Sequence, residues 1–403
     1  MLIPPPLSLY IHIPWCVRKC PYCDFNSHQQ PRELPVADYV AALVADLEQD
    51  LPLVWGRPVH SVFFGGGTPS LFPPEAIGAI LDAASARLRF TPNAEISMEC
   101  NPGTAEHGRF EAYRAAGVNR LSFGVQSFDD GCLQRLGRIH DSREAEYAVK
   151  LAQDAGYDNI NLDLMYALPG QSLAMAVHDV ERAIALAPAH LSHYQLTLEP
   201  NTVFAAQPPA GIPLEDDAWD MQERCIEAMA AAGYTQYEVS AYAQPGRQCA
   251  HNLNYWRFGD YLGIGAGAHG KISSSVSVHG DGLAGAGSGD TEAPLHGDIL
   301  RRWKVKNPRD FLASAGSAAR IGGDDPIELA QRPFDYMLNA LRLVEGFSLR
   351  DFESRTGLDR AVIAPQLAHA QLMGWLQPQG ERFLPTELGR RFTNDVISLF
   401  LQD

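Results

Sequence analysis

Through its first 240 residues the chain alternates between short runs of consecutive apolar residues and longer stretches with apolar positions three or four apart. The runs fall at 9–15, 59–64, 94–98, 120–125, 160–166, 191–198 and 234–242, each long enough for one buried parallel strand. The intervening stretches, at 36–51, 74–88, 105–116, 142–155, 173–187 and 214–232, have the period of amphipathic helices. Several open on proline or an acidic residue and close at Gly117, Gly156 or Gly233. Six or seven βα units in succession mean a parallel sheet, either doubly wound or rolled into a barrel. Polar tips favour the barrel: Gly65-Gly66-Gly67-Thr68, Glu99-Cys100-Asn101, Gln126-Ser127 and Asp163 all sit at or near the carboxyl end of a run. A barrel gathers such tips into one site.

After about residue 270 the texture changes. Residues 273–298 are rich in Gly and Ser without periodicity, which predicts a flexible loop. Helical periodicity returns at 326–344, 349–356 and 362–373, followed by a hairpin at 375–385 and a last helix at 388–401. The expected organisation is therefore a core at 1–270, a flexible linker at 271–324 and a small helical, winged-helix-like domain at 325–403. A winged helix invites DNA, but residues 325–403 carry 8 Lys+Arg against 11 Asp+Glu, and the whole chain has a formal charge of −16. That field repels phosphate backbones, so no nucleic-acid partner is expected. No apolar run approaches the ~18 residues of a membrane span, and no Lys or Arg precedes Arg18, so a soluble cytoplasmic protein is expected.

The chain has seven cysteines, an odd number unsuited to a closed disulfide framework. Cys16, Cys20 and Cys23 crowd into eight residues, a pattern that indicates a reducing compartment and a metal site. Thiolates suit zinc or an iron–sulfur cluster. Structural zinc wants four closed ligands, and no second Cys-x-x-Cys exists, although His12 or His28 could complete a site. Three thiolates on a four-iron cluster leave one iron open to a small molecule.

Cys16-x-x-x-Cys20-x-x-Cys23 resembles the signature of the radical S-adenosylmethionine (SAM) proteins. The resemblance implies a partial (β/α) TIM-like barrel, a [4Fe-4S] cluster on these three cysteines, and SAM chelated to the fourth iron and cleaved by an electron from the cluster. Gly66, Gly67 and Thr68 stand in what looks like the family's glycine motif, whose bare backbone approaches the methionine end of SAM. In the subfamily that includes oxygen-independent coproporphyrinogen III dehydrogenase, six further side chains contact SAM. The matching positions here are Tyr10, Tyr22, Glu99, Gln126, Arg138 and Asp163. Carboxylates suit ribose hydroxyls or the ammonium, Arg138 the carboxylate, and the aromatics adenine. Thr197 and His269 fall where two remaining contacts belong, with different residue identities. The resemblance assigns no catalytic acid or base.

Two departures separate the chain from the dehydrogenase itself. Phe25 occupies the position of a further cysteine, and only fifteen residues precede Cys16 in place of a long extension. Both features resemble a haem-chaperone branch of the subfamily, as does the segment His251-Asn252-Leu253-Asn254-Tyr255-Trp256. That branch implies haem as ligand, with His251 a candidate iron ligand, Cys249 a rival, and Tyr255 and Trp256 a flat surface for a porphyrin. Its partner would be a haem-accepting protein, with transient contact to a membrane-bound acceptor left open. The alternative is oxidative decarboxylation of coproporphyrinogen III to protoporphyrinogen IX. A zinc-dependent interaction module is a third reading.

Overall fold

The computed structural model describes residues 1–104, 108–275 and 297–401. Twelve of its strands form one sheet: β1 (Leu7–Ile13), β2 (Val59–Gly66), β3 (Phe90–Cys100), β4 (Arg120–Gln126), β5 (Ile160–Tyr166), β6 (His190–Gln195), β7 (Thr235–Glu238), β8 (Ala241–Ala243), β9 (Asp260–Ile264), β10 (His269–Ser274), β11 (Asp298–Lys304) and β12 (Ile321–Pro326). Their order across the sheet is 12-11-10-9-1-2-3-4-5-6-8-7. The neighbours from β9 through β6 are parallel, and both ends of the sheet continue antiparallel. The parallel part is the partial barrel.

Strand β1 shows what holds this barrel together. Leu9, Ile11 and Ile13 are fully buried against Tyr39, Leu43 and Leu47 of the helix Val36–Asp50, each contributing about 1.5–3 kcal/mol by leaving water. Ser8, Tyr10 and His12 alternate with them and face the lumen, where Ser8 Oγ meets Ser61 Oγ at 2.7 Å. The same phase puts Ser61 and Phe63, Glu95 and Glu99, Arg120 and Ser122, Asn161 and Asp163, and His190, Ser192 and Tyr194 on the inner face. The apolar layer lies between sheet and helices, while the lumen is polar.

Two expectations need correction. The run 234–242 is not a seventh parallel strand. Glu238 accepts hydrogen bonds from the backbone N–H and Oγ of Ser240, which turns the chain into the antiparallel pair β7 and β8. The seventh parallel strand is instead β9, paired with β1 and only five residues long. The expected linker 271–324 contains most of β10, all of β11, the helix Pro308–Ser314 and the start of β12. The Gly/Ser-rich loop expected at 273–298 falls largely on residues 276–296, which lie outside the described residues. A buried ionic group fixes the β11–β12 region to the first helix: Lys304 reaches Asp46 and Asp50, and Arg320 Nε donates to Asp46 at 2.8 Å while its Nη2 donates to Asp50. All four residues are nearly inaccessible.

The C-terminal unit has the winged-helix-like form expected. Helices Arg332–Ala340, Leu349–Thr356 and Ala364–Leu372 pack on a small antiparallel sheet of Phe347–Ser348, Arg382–Pro385 and Leu376–Gln379. The core of this unit is continuous with barrel residues Leu2, Phe258 and Ile299. Arg332 crosses the junction, donating to the carbonyls of Thr356 at 2.7 Å and Gly297 at 2.8 Å.

Candidate functional site

The loop after β1 carries the three clustered cysteines and is held from both sides. His28 N–H donates to Pro14 O at 2.7 Å, and Gln30 N–H donates to Cys16 O at 2.8 Å. Asn26 donates from Nδ2 to Ala266 O at 3.0 Å and Lys306 O at 2.9 Å, and its own carbonyl pairs with His12 Nε2 at 2.9 Å. Asn26 escaped the sequence reading because the carbonyls its side chain reaches are more than two hundred residues away. The glycine tip of β2 closes onto the same loop, with Gly67 N–H donating to Ile13 O at 2.8 Å and Thr68 N–H to Trp15 O at 2.7 Å. A Cβ on Gly67 would lie 2.5 Å from Trp15 O, which is why no side chain fits there. These N–H groups, with Gly66 N–H bonded to Glu99 Oε2 at 3.1 Å, are spent inside the protein.

Above the strand tips opens a cavity of about 360 Å³. Cys16, Cys20, Cys23, Tyr22, Gly66, Gly67, Thr68, Glu99, Gln126, Arg138 and Asp163 all line it, so residues spread over about 150 positions converge as expected. Thr197 also lines it. Among the described residues no three His, Cys, Asp or Glu side chains stand close enough to share one metal ion. The thiols therefore border a space and do not close on a point. Burial pushes the Cys16 and Cys23 thiols up.

Three sequence candidates sit elsewhere. Tyr10 lies one layer deeper in the lumen, its hydroxyl 3.0 Å from His12 Nδ1 and its ring stacked near Phe63. His269 is exposed and stacks on Trp303 across β10 and β11. His251, on the helix Ala250–Trp256, is at the opposite end of the barrel from the cysteine loop, its ring 4.9 Å from Phe63 and 6.2 Å from Tyr10. Its Nδ1 is 3.5 Å from Ser61 Oγ, and burial with Arg120 nearby pushes its pKa down to about 4. Glu95 holds this helix by its first turn, accepting from the N–H groups of Ala250 at 3.0 Å and His251 at 3.3 Å.

Gln126 takes its place through backbone strain. It adopts φ 71°, rare for a residue with a side chain, at a register shift between β4 and β5. Asp179 steadies the turn that follows, accepting from Ser127 Oγ at 2.7 Å and Phe128 N–H at 2.6 Å. Tyr194 donates to Gln126 Oε1 at 2.9 Å. The sequence reading missed Tyr194, though its alternation with Ser192 was visible in the run 191–198.

The electrostatics of the cavity are those of a site for a ligand with both signs of charge. Burial, reinforced by Asp163, pushes the Glu99 carboxyl up to about 8, with Gly66 N–H as its donor. Burial also raises Asp163, against hydrogen bonds from Asn161 and Ser122. Arg138 reaches Cys20 Sγ at 3.7 Å and Gly124 O, and its buried Nε has no partner. A carboxyl held uncomfortably neutral at Glu99, beside the second buried carboxyl of Asp163, calls for a cation, and an orphaned guanidinium N–H calls for an acceptor. SAM carries a sulfonium, an ammonium and a carboxylate, so the donor set fits it, and three thiols on one loop fit a cluster with one open iron.

Residues 10–183 match the Radical SAM superfamily and residues 327–392 match the HemN C-terminal domain. The chain is 48% identical over 399 residues to the heme chaperone HemW of Escherichia coli, covering 99% of each. It is 44% identical over 403 residues to the heme chaperone HemW of Haemophilus influenzae, again covering 99% of each. In fold it is similar to the solved structure of coproporphyrinogen III oxidase (HemN) from Escherichia coli, with a TM-score of 0.79 at 22% identity over 98% of this chain and 90% of that one. With relatives so similar over the whole length and both domains matched, the chain belongs to the HemW family of the radical SAM superfamily.

Proposed function

We propose that this protein is a HemW-type haem chaperone that carries a [4Fe-4S] cluster and SAM, binds haem and passes it to a haem-accepting protein. The observation that carries this reading is the near-full-length identity, 48% and 44%, to two proteins named heme chaperone HemW. Cys16, Cys20 and Cys23 would hold the cluster, which when bound supplies an electron to SAM. Glu99 and Asp163 would take the positive and hydroxyl-bearing parts of SAM. Arg138 would donate from Nε and Nη to its carboxylate, and Tyr22 would flank adenine. Gln126, fixed by Tyr194, would present its amide to the same ligand. Cys16, Cys20 and Cys23 replaced together by Ser should leave a protein without iron or sulfide after anaerobic reconstitution; retained iron and sulfide in equal amounts would remove the assignment.

For haem, the proposal gives His251 the iron. Its side chain points into the lumen, so ligation would require the helix Ala250–Trp256 to lift from Glu95, bringing half-exposed Tyr255 with it. Haem titration of reconstituted protein should give stoichiometric binding with a Soret band that His251→Ala shifts or weakens. An unchanged band in that variant moves the ligand elsewhere, with Cys249→Ala the next substitution. The dehydrogenase reading is favoured by the fold alone, and Phe25, exposed on the cysteine loop where that enzyme has a further thiol, speaks against it. Vinyl product from coproporphyrinogen III, SAM and reductant would overturn the chaperone reading. Among the described residues no helix is long and apolar enough to cross a membrane, so a membrane-bound acceptor would be met from outside the bilayer.

A further inference from the structure

The cavity and the His251 helix lie at opposite ends of the barrel, yet an unbroken series of hydrogen bonds joins them through the lumen. Asn161 donates from Nδ2 to Asp163 Oδ1 and to Ser122 Oγ, 2.8 Å each. Its Oδ1 accepts from His190 Nδ1 at 2.6 Å and from Ser192 Oγ at 3.1 Å. His190 Nε2 is 2.8 Å from the Tyr237 hydroxyl, and the same oxygen is 3.3 Å from the N–H of Cys249, the residue that opens the His251 helix.

The direction of every bond follows from the chemistry at the two ends. Asp163 as a carboxylate only accepts, so Asn161 turns its NH2 toward it and its carbonyl toward His190. A carbonyl only accepts, so His190 carries its proton on Nδ1 and is left with a lone pair on Nε2. Tyr237 donates to that lone pair and accepts from Cys249 N–H. His190 is fully buried and its pKa is pushed well down, which keeps it in this neutral, one-donor, one-acceptor form. Such chains polarise one another, so a change of partner at one end alters the strength of the rest. Glu95 offers no equivalent route, since it ties the same helix to β3 without touching the cavity acids through hydrogen bonds.

We infer that Asn161, His190 and Tyr237 are positioning residues that tie the helix Ala250–Trp256 to Asp163, so that a ligand engaging Asp163 in the cavity changes how firmly the His251 helix is held. This inference rests on the reading of the cavity as the SAM site. It makes the placement of the haem motif depend on SAM without any contact between the two.

The test is amide hydrogen exchange of the segment 249–256 in the full-length, anaerobically reconstituted chain, with and without SAM. SAM binding is measured first by equilibrium dialysis. In the unmodified protein saturating SAM should change the exchange rate of this segment by about fivefold, the lower end of ordinary coupling between sites. Tyr237→Phe, which removes one buried hydroxyl and keeps the ring, should still bind SAM but respond by less than about twofold. His190→Gln, which keeps one donor and one acceptor in line, should retain the response. A merely structural role for Tyr237 would raise exchange in both states and leave the SAM-dependent difference intact, which would overturn the inference. So would an unmodified protein that binds SAM with no change at 249–256, an outcome readable even if Tyr237→Phe fails to fold. If the dialysis shows no SAM bound at all, the reading of the cavity falls and this inference with it, before any exchange is measured.

Discussion

Glu99→Gln separates what the candidate site costs the fold from what it gains in binding. Glu99 faces the cavity beside Asp163, with Gly66 N–H as donor, and its carboxyl is pushed from 4.5 up to about 8. In the unfolded chain it ionises near its ordinary value. Between about pH 4.5 and 8 the folded chain therefore holds a proton that the unfolded chain has released, and stability falls as pH rises through that window. At 1.36 kcal/mol per pH unit the upper figure is about 4–5 kcal/mol. The side chain borders a solvent-connected cavity, so screening brings the expected effect nearer to about 2 kcal/mol. Gln does not titrate and can still accept from Gly66 N–H. In protein without cluster or SAM, the variant and its parent should melt alike near pH 5. Near pH 8 the variant should melt about 2–3 °C higher, given the unfolding entropy of a chain this long. Reconstituted protein should show the opposite preference: SAM should bind the variant at least about tenfold more weakly, the loss expected when a cation loses a buried charged partner, and SAM should bind the parent more tightly as pH rises from 6 to 8. Scanning fluorimetry across pH and equilibrium dialysis read the two halves. A melting difference that does not grow with pH, or equal SAM affinity in the two proteins, would refute the reasoning.

Lys304→Met removes the ammonium that Asp46 and Asp50 share while Arg320 still bridges both, and should cost about 3 kcal/mol, the low end for a broken buried pair. Burial already holds Asp46 above its usual range, so the deficit in melting temperature should shrink as pH falls and the freed carboxyl takes a proton; an unchanged melting curve would mean that 298–326 is not built into the barrel. Gly67→Ala places a methyl 2.5 Å from the Trp15 carbonyl, which cannot yield as a side chain tip would. Iron and sulfide per chain after reconstitution should drop well below those of the parent, and full loading would show that the cysteine loop tolerates displacement. Asp179→Ala strands Ser127 Oγ and Phe128 N–H behind Gln126, costing about 1–3 kcal/mol; SAM affinity should fall with it, and stability loss at unchanged affinity would detach Asp179 from the site.

The sequence by itself determined the candidate chemistry and most of the scaffold. Cys16, Cys20 and Cys23 are legible because thiols on one loop have fixed local spacing, and β2, β4 and β5 are legible because strands buried under helices read as apolar runs. Glu99, Gln126 and Asp163 could be named by their places at strand tips and Arg138 through the family resemblance, and all four line one cavity with the cysteines. Tertiary structure decided whatever depends on partners far apart in the chain. The five-residue β9 is a parallel strand only because β1 lies beside it. The run 234–242 becomes a hairpin on the sheet because β8 pairs antiparallel with β6, Ala241 opposite Ser192 and Ala243 opposite His190. Lys304 and Arg320 fall within the expected linker and are built into the fold only because Asp46 and Asp50 meet them from a helix more than 250 residues earlier. The placement of His251 was beyond the sequence for the same reason. Its motif is local, but the lumen that receives it is assembled from the inner faces of separate strands, and only their closure sets which end of the barrel it occupies.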